Sequence, residues 1–153
     1  RLRSTIRLIR FDLRMQKVAL RLDLDSQLPA VYGVADQLTQ VVMNLLVNAM
    51  DALDGVAGRD PAITIATRSE GGRVCLEIGD NGVGIEDAVL QRVFEAFFTT
   101  KPAGKGTGLG LSLSYAIVRR HGGTIELNST PGAGTRVQVL FPLDDNAFNP
   151  ANA

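Results

Sequence analysis

Neither sign of charge prevails in this chain of 153 residues: Lys and Arg number 16, Asp and Glu number 16, and the formal net charge is zero. A nucleic-acid binder ordinarily carries a marked basic excess, so no nucleic-acid partner is expected. The single cysteine, Cys75, cannot close a disulfide within the chain and gives no sign of an oxidising compartment. It lies in the alternating run RVCLEI, where a small packed residue is expected rather than a reactive thiol. No apolar run approaches the roughly 20 residues of a membrane helix, and no signal peptide can be read in these residues. The domain is therefore expected to make no membrane contact and to lie in the cytoplasm.

A chain of this length buries about 70% of its extended surface, enough for one domain with a true core. Leu2, Ile6, Ile9 and Leu13 recur at helical spacing among arginines, which predicts an amphipathic helix with a solvated basic face. From Lys17 to Leu24 the pattern alternates, placing Val18, Leu20, Leu22 and Leu24 on one face of a strand. A long helical pattern follows from Ala35 to Leu53. Two alternating runs, Ile63–Thr67 and Val74–Ile78, meet at Glu70-Gly71-Gly72, a hairpin signal. A short helix is expected near Glu86–Val93, a flexible loop over Thr99–Gly108, a helix over Leu109–Arg120 ended by Gly122-Gly123, and two last strands around the PGAG turn. The sum is an α+β two-layer sandwich: a mixed, mostly antiparallel sheet covered on one face by about three helices. The domain is expected over residues 1–143, with 144–153 a polar disordered tail.

The residues that carry chemistry begin on the 35–53 helix. Leu38, Val42, Leu45, Ala49 and Leu53 form an apolar stripe, and Asn44, Asn48 and Asp51 gather on its flank. Asparagine is a mediocre helix former, so two of them in such a helix need a reason. One is structural, the satisfaction of backbone groups in a neighbouring loop. The other is an amide oxygen that binds a hard cation such as Mg²⁺, which needs little protein ligation when it bridges substrate phosphates. Asp80 closes a strand and is followed by Asn81-Gly82-Val83-Gly84, either an Asx turn or a carboxylate shaping a pocket. Gly104, Gly106, Gly108 and Gly110 alternate directly before a helix, where free N–H groups and the helix dipole favour an anion. No P-loop can be read there.

Taken in order, NLLVNAMDAL, DNGVGI, GKGTGLGLSL and PGAGT resemble the ATP-binding catalytic domain of sensor histidine kinases, from about Ala35 to Pro142. The resemblance implies that Asn48 holds Mg²⁺, that Asn44 supports phosphate or water contacts, and that Asp80 accepts a hydrogen bond from the adenine amine. Gly82 and Gly84 would let backbone approach the base, with Ile85 beside them and Thr135 as a polar contact. FEAFFTTK resembles the family's phenylalanine box, bringing Phe94, Thr100 and Lys101 to the nucleotide. Gly106, Thr107, Gly108, Leu109, Gly110 and Leu111 would form the lid and phosphate end. Asp51 is a departure, since many of these kinases carry lysine there. FFTTK and GTGLGLSLSYAIV are most similar to kinases of the nitrogen-regulation and dicarboxylate-sensing type.

In the related gyrase, mismatch-repair and heat-shock chaperone ATPases a glutamate stands one turn before the metal-binding asparagine and activates water. Asn44 cannot accept a proton in that way, which favours a kinase that keeps the γ-phosphate for another acceptor. His121, in RRHGG, is followed by glycines rather than by an acidic helix, and a partial positive charge there would suit a helix end. It is read as part of the catalytic domain and not as the phosphoacceptor. The expected function is transfer of the γ-phosphate of Mg²⁺·ATP to a histidine on the dimerisation and phosphoacceptor domain of the same protein, with a response regulator downstream. The fragment is expected to be monomeric and the full kinase a homodimer, with a membrane-anchored sensor as one form the full-length protein could take. The start at Arg1, in mid-pattern, points to an excised piece of a longer chain. A gyrase-type ATPase, a non-catalytic regulator of the anti-sigma type and a mitochondrial-type serine kinase are the alternatives on the same fold.

Overall fold

The computed structural model describes residues 17–54, 56–95 and 110–143. The N-terminal helical pattern, the 99–108 loop and the tail lie outside the described residues. The elements run β1 (Ala19–Leu24), α1 (Ala35–Leu53), β2 (Ala62–Glu70), β3 (Arg73–Asp80), α2 (Asp87–Leu90), α3 (Gly110–Arg120), β4 (Thr124–Thr130) and β5 (Gly134–Pro142). The five strands form one sheet in the order β1-β2-β3-β5-β4. Only β1 and β2 are parallel, and the 19-residue α1 lies in their connection, as a parallel pair requires. The β2–β3, β3–β5 and β4–β5 pairs are antiparallel. This is the mixed, mostly antiparallel sandwich that the patterns predict.

Alternation along the strands divides the sheet into two faces. Ile63, Ile65, Leu76, Ile78, Val137 and Val139 face α1 and α3 and form the core with Val41, Leu45, Leu46, Ala49, Ile117 and Val118. The buried stripe of α1 is wider than the five expected residues: Val41, Leu46 and Met50 are buried too, while Leu38 is only partly covered. The opposite face is polar. There Glu77 accepts from Gln138 Nε2 at 2.8 Å and lies 3.5 Å from Arg68. Cys75 pairs with Arg68 across β2 and β3 and is only 2% exposed, so it is packed as expected.

Two expectations change. Leu22 is 41% exposed despite sharing a face with Leu20 and Leu24, because β1 has only one neighbouring strand. The helix expected over 86–93 is a single turn, Asp87–Leu90, after which Arg92 N–H donates to Val89 O and the chain continues in turns to Phe94.

Candidate functional site

The end of the sheet nearest the DNGVGI loop carries a row of polar side chains on the helix-covered face. Ile63 faces Asp80, Asp80 faces Thr135, and Thr135 faces Ser129 across successive strands. Gly82 N–H donates to Asp80 Oδ1 at 2.9 Å, and the Thr135 backbone N–H also donates to this carboxylate. Burial pushes the Asp80 carboxyl above its ordinary value, opposed by those two backbone donors. No cation among the described residues enters this balance. Asp80 is thus a desolvated acceptor with no charged partner among the described residues, and a neutral donor from a ligand suits it. Of the two alternatives in the sequence, the Asx turn is formed, by the Gly82 N–H bond to Asp80 Oδ1.

The glycines of this loop are fixed by what lies against them. A β-carbon at Gly82 would stand 2.3 Å from Ala52 O, and Val83 N–H donates to that same carbonyl at 2.9 Å. Gly84 has φ of +72°, and a β-carbon there would stand 2.2 Å from Thr130 O. Gly132 N–H donates to Val83 O at 2.7 Å, so the PGAGT turn and the DNGVGI loop are joined backbone to backbone. The close approach of the glycines serves this internal packing in the chain itself.

Three residues hold the loop, and two of them, Arg59 and Ser129, carried no signal in the sequence. Arg59 donates from Nε to Asn81 O and from Nη2 to Gly82 O, each at 2.7 Å. Asn81 accepts from Ala62 N–H at 2.9 Å and donates to Asp60 O at 2.8 Å, tying the turn to the start of β2. Ser129 accepts from Ile85 N–H at 2.7 Å and meets Thr135 Oγ1 at 2.8 Å. Arg59 sits in a short GRDP connection, and Ser129 reads as one more polar strand residue. Their partners lie 22 and 44 positions away in the chain, which local patterns cannot reveal.

On α1, Asn44 Nδ2 donates to Gly110 O at 3.3 Å and to Ser114 Oγ at 3.4 Å. The described contacts of Asn44 are therefore the structural ones, linking α1 to the first turn of α3. Asn48 is half-buried, and its amide bonds no described residue. Asn44, Asn48 and Ala52 follow at intervals of four, close to one turn each. Asn48 is thereby held between the α3 junction and the Gly82 turn. Asp51, also half-buried, lies next to Ala52. Among the described residues no three His, Cys, Asp or Glu side chains gather as a metal cage. A half-buried amide oxygen suits Mg²⁺, which keeps waters and takes phosphate oxygens.

Phe94 packs against the core with its ring 5.1 Å from that of Tyr115. Leu111 also packs against the core, and Gly110 opens α3. Thr100, Lys101, Gly106, Thr107, Gly108 and Leu109 lie outside the described residues. His121 is 1% exposed; its Nδ1 bonds Ile117 O at 2.7 Å and its Nε2 accepts Val34 N–H at 3.0 Å. This pairing puts the acceptor lone pair on Nε2 and the donating N–H on Nδ1.

The model of the histidine kinase-, DNA gyrase B-, and HSP90-like ATPase family matches residues 33–145. A two-component sensor of Pseudomonas aeruginosa, PprA, is 45% identical over 134 residues, covering 86% of this chain and 14% of that protein. The sensor histidine kinase ZraS of Escherichia coli is 33% identical over 146 residues, covering 95% of this chain and 30% of that protein. The chain thus spans well under two thirds of the length of these relatives. The catalytic domain of the histidine kinase ThkA superimposes with a TM-score of 0.80 at 26% identity, covering 95% of this chain and 92% of that one.

Proposed function

This chain belongs to the histidine kinase-, DNA gyrase B-, and HSP90-like ATPase family, and we propose that it is the part of a two-component sensor kinase that binds Mg²⁺·ATP and donates the γ-phosphate to a histidine on another domain. The observation that carries this reading is Asp80: a half-buried carboxylate with backbone donors on one side and no cationic partner among the described residues. Such a group favours a neutral N–H donor, as the amine of adenine supplies. Thr135 holds the carboxylate through its backbone N–H, and its hydroxyl lies 2.8 Å from Ser129 Oγ.

Asn48 would hold the metal through its amide oxygen, one turn from Asn44 and one from Ala52. Bound Mg²⁺ would neutralise phosphate charge, the main requirement of phosphoryl transfer along with positioning. Asn44 braces α1 against α3 and offers no base to activate water, so the γ-phosphate is kept for an acceptor. The acceptor histidine lies on a dimerisation domain of the same protein, and a response regulator receives the phosphate next. His121 is not that acceptor, because both ring nitrogens are engaged in the interior. Among the described residues no helix is long and apolar enough to cross a membrane, in keeping with a cytoplasmic catalytic piece.

The test mixes this chain with the upstream helical fragment of its own gene and labelled Mg²⁺·ATP. Acid-labile, alkali-stable phosphate on the fragment is the expected result. Free phosphate with an unlabelled fragment would replace this reading with that of a hydrolysing ATPase.

A further inference from the structure

Ser129 has one hydroxyl proton and two lone pairs to distribute. All its contacts are hydrogen bonds together only when that proton goes to Gly134 O, at 3.1 Å. One lone pair takes Ile85 N–H at 2.7 Å. The remaining contact, Thr135 Oγ1 at 2.8 Å, then has only Thr135 as its donor. The Thr135 hydroxyl proton is directed away from Asp80 toward Ser129, and its oxygen keeps lone pairs alone. Next to it on the adjacent strand, the Asp80 carboxylate is also an acceptor.

We propose that Ser129 is a positioning residue for base selection: by holding the Thr135 hydroxyl as an acceptor, it makes Asp80 and Thr135 an all-acceptor pair. The pair takes a 6-amino purine and rejects a 6-oxo purine, whose oxygen would face two acceptors with no proton between them. The inference rests on the reading that Asp80 receives the base of ATP. Ser129 tunes the base selection through Thr135, while its bond to Ile85 N–H holds the loop. Without the Ser129 hydroxyl, the Thr135 hydroxyl rotates and offers its proton to a 6-oxo group.

Calorimetric titration of ATP and ITP into the 153-residue chain tests this. Ser129→Ala is expected to lower the ATP-over-ITP preference by about tenfold, the worth of one hydrogen bond gained or lost. Ser129→Thr, which restores a hydroxyl, returns the wild-type preference. Adding Thr135→Val to Ser129→Ala abolishes the gain in ITP affinity, since no proton is left to offer. Ser129→Cys keeps the volume with a weaker donor and gives the same direction should the alanine variant unfold. A Ser129→Ala chain that keeps the wild-type preference, or weakens both nucleotides equally, overturns the inference. A wild-type chain that binds no ATP overturns the functional reading as well, so the two failures are distinct.

Discussion

Gly82 and Ala52 stand so close that a β-carbon on the glycine would lie 2.3 Å from the alanine carbonyl oxygen, and Val83 N–H donates to that oxygen at 2.9 Å. The contact joins the asparagine helix to the loop after Asp80. Gly82→Ala is therefore expected to displace the turn, costing about 2–3 kcal/mol of stability and weakening ATP binding with it. Urea denaturation and a binding titration on the same preparation check both.

Asp80→Asn should abolish most ATP binding, since it places a donor where the adenine amine needs an acceptor. Its effect on the free protein runs the other way. Burial raises the folded Asp80 pKa above its ordinary 3.8, so the native state holds this proton more tightly than the unfolded chain does. The stability from this group is present below 3.8 and is lost as pH rises through the folded value. The variant, with no charge to bury, is expected to be more stable than wild type at neutral pH, the gap closing toward acid. Chemical denaturation across that range measures it; a gap that widens toward acid would refute the assignment.

Asn44 and Asn48 should separate. Asn44→Ala removes the donor to Gly110 O and Ser114 Oγ and is expected to cost about 1 kcal/mol of stability. Asn48→Asp breaks no described bond, so it should leave the unfolding midpoint nearly unchanged while abolishing phosphotransfer to the upstream fragment. Unchanged transfer would remove the metal role.

His121→Ala opens a cavity beside Phe141 and leaves the N–H of Val34, at the start of α1, without its acceptor. A loss of about 2–4 kcal/mol is expected in urea denaturation. Incubated alone with labelled ATP, the wild-type chain should carry no phosphohistidine, because both ring nitrogens are engaged in the interior.

Cys75 should resist thiol reagents until the chain unfolds. It is 2% exposed, and burial pushes its thiol pKa up, only partly offset by nearby Arg68. Labelling at the rate of an exposed thiol under native conditions would contradict this.

The amino-acid sequence by itself determined the elements and the chemistry of single positions. Alternation in 62–70 and 73–80 marks strands and the 3.6 period in 35–53 marks a helix, because each signal is local, and Asn48, Asp80 and the glycines are the local signals on which the proposed nucleotide site rests. It also showed that position 44 holds no base. Local patterns stop where one segment meets another. They did not show that β1 lies at an edge and leaves Leu22 exposed, or that Asn44 is bonded to α3. They gave no sign that His121 holds the start of α1, or that Arg59 and Ser129 grip the Asp80 loop. The bonds among these join residues 22 to 87 positions apart, each a donor meeting an acceptor that only the folded sheet and helices bring within reach. Residue type sets what a side chain can donate or accept; the tertiary fold decides to whom.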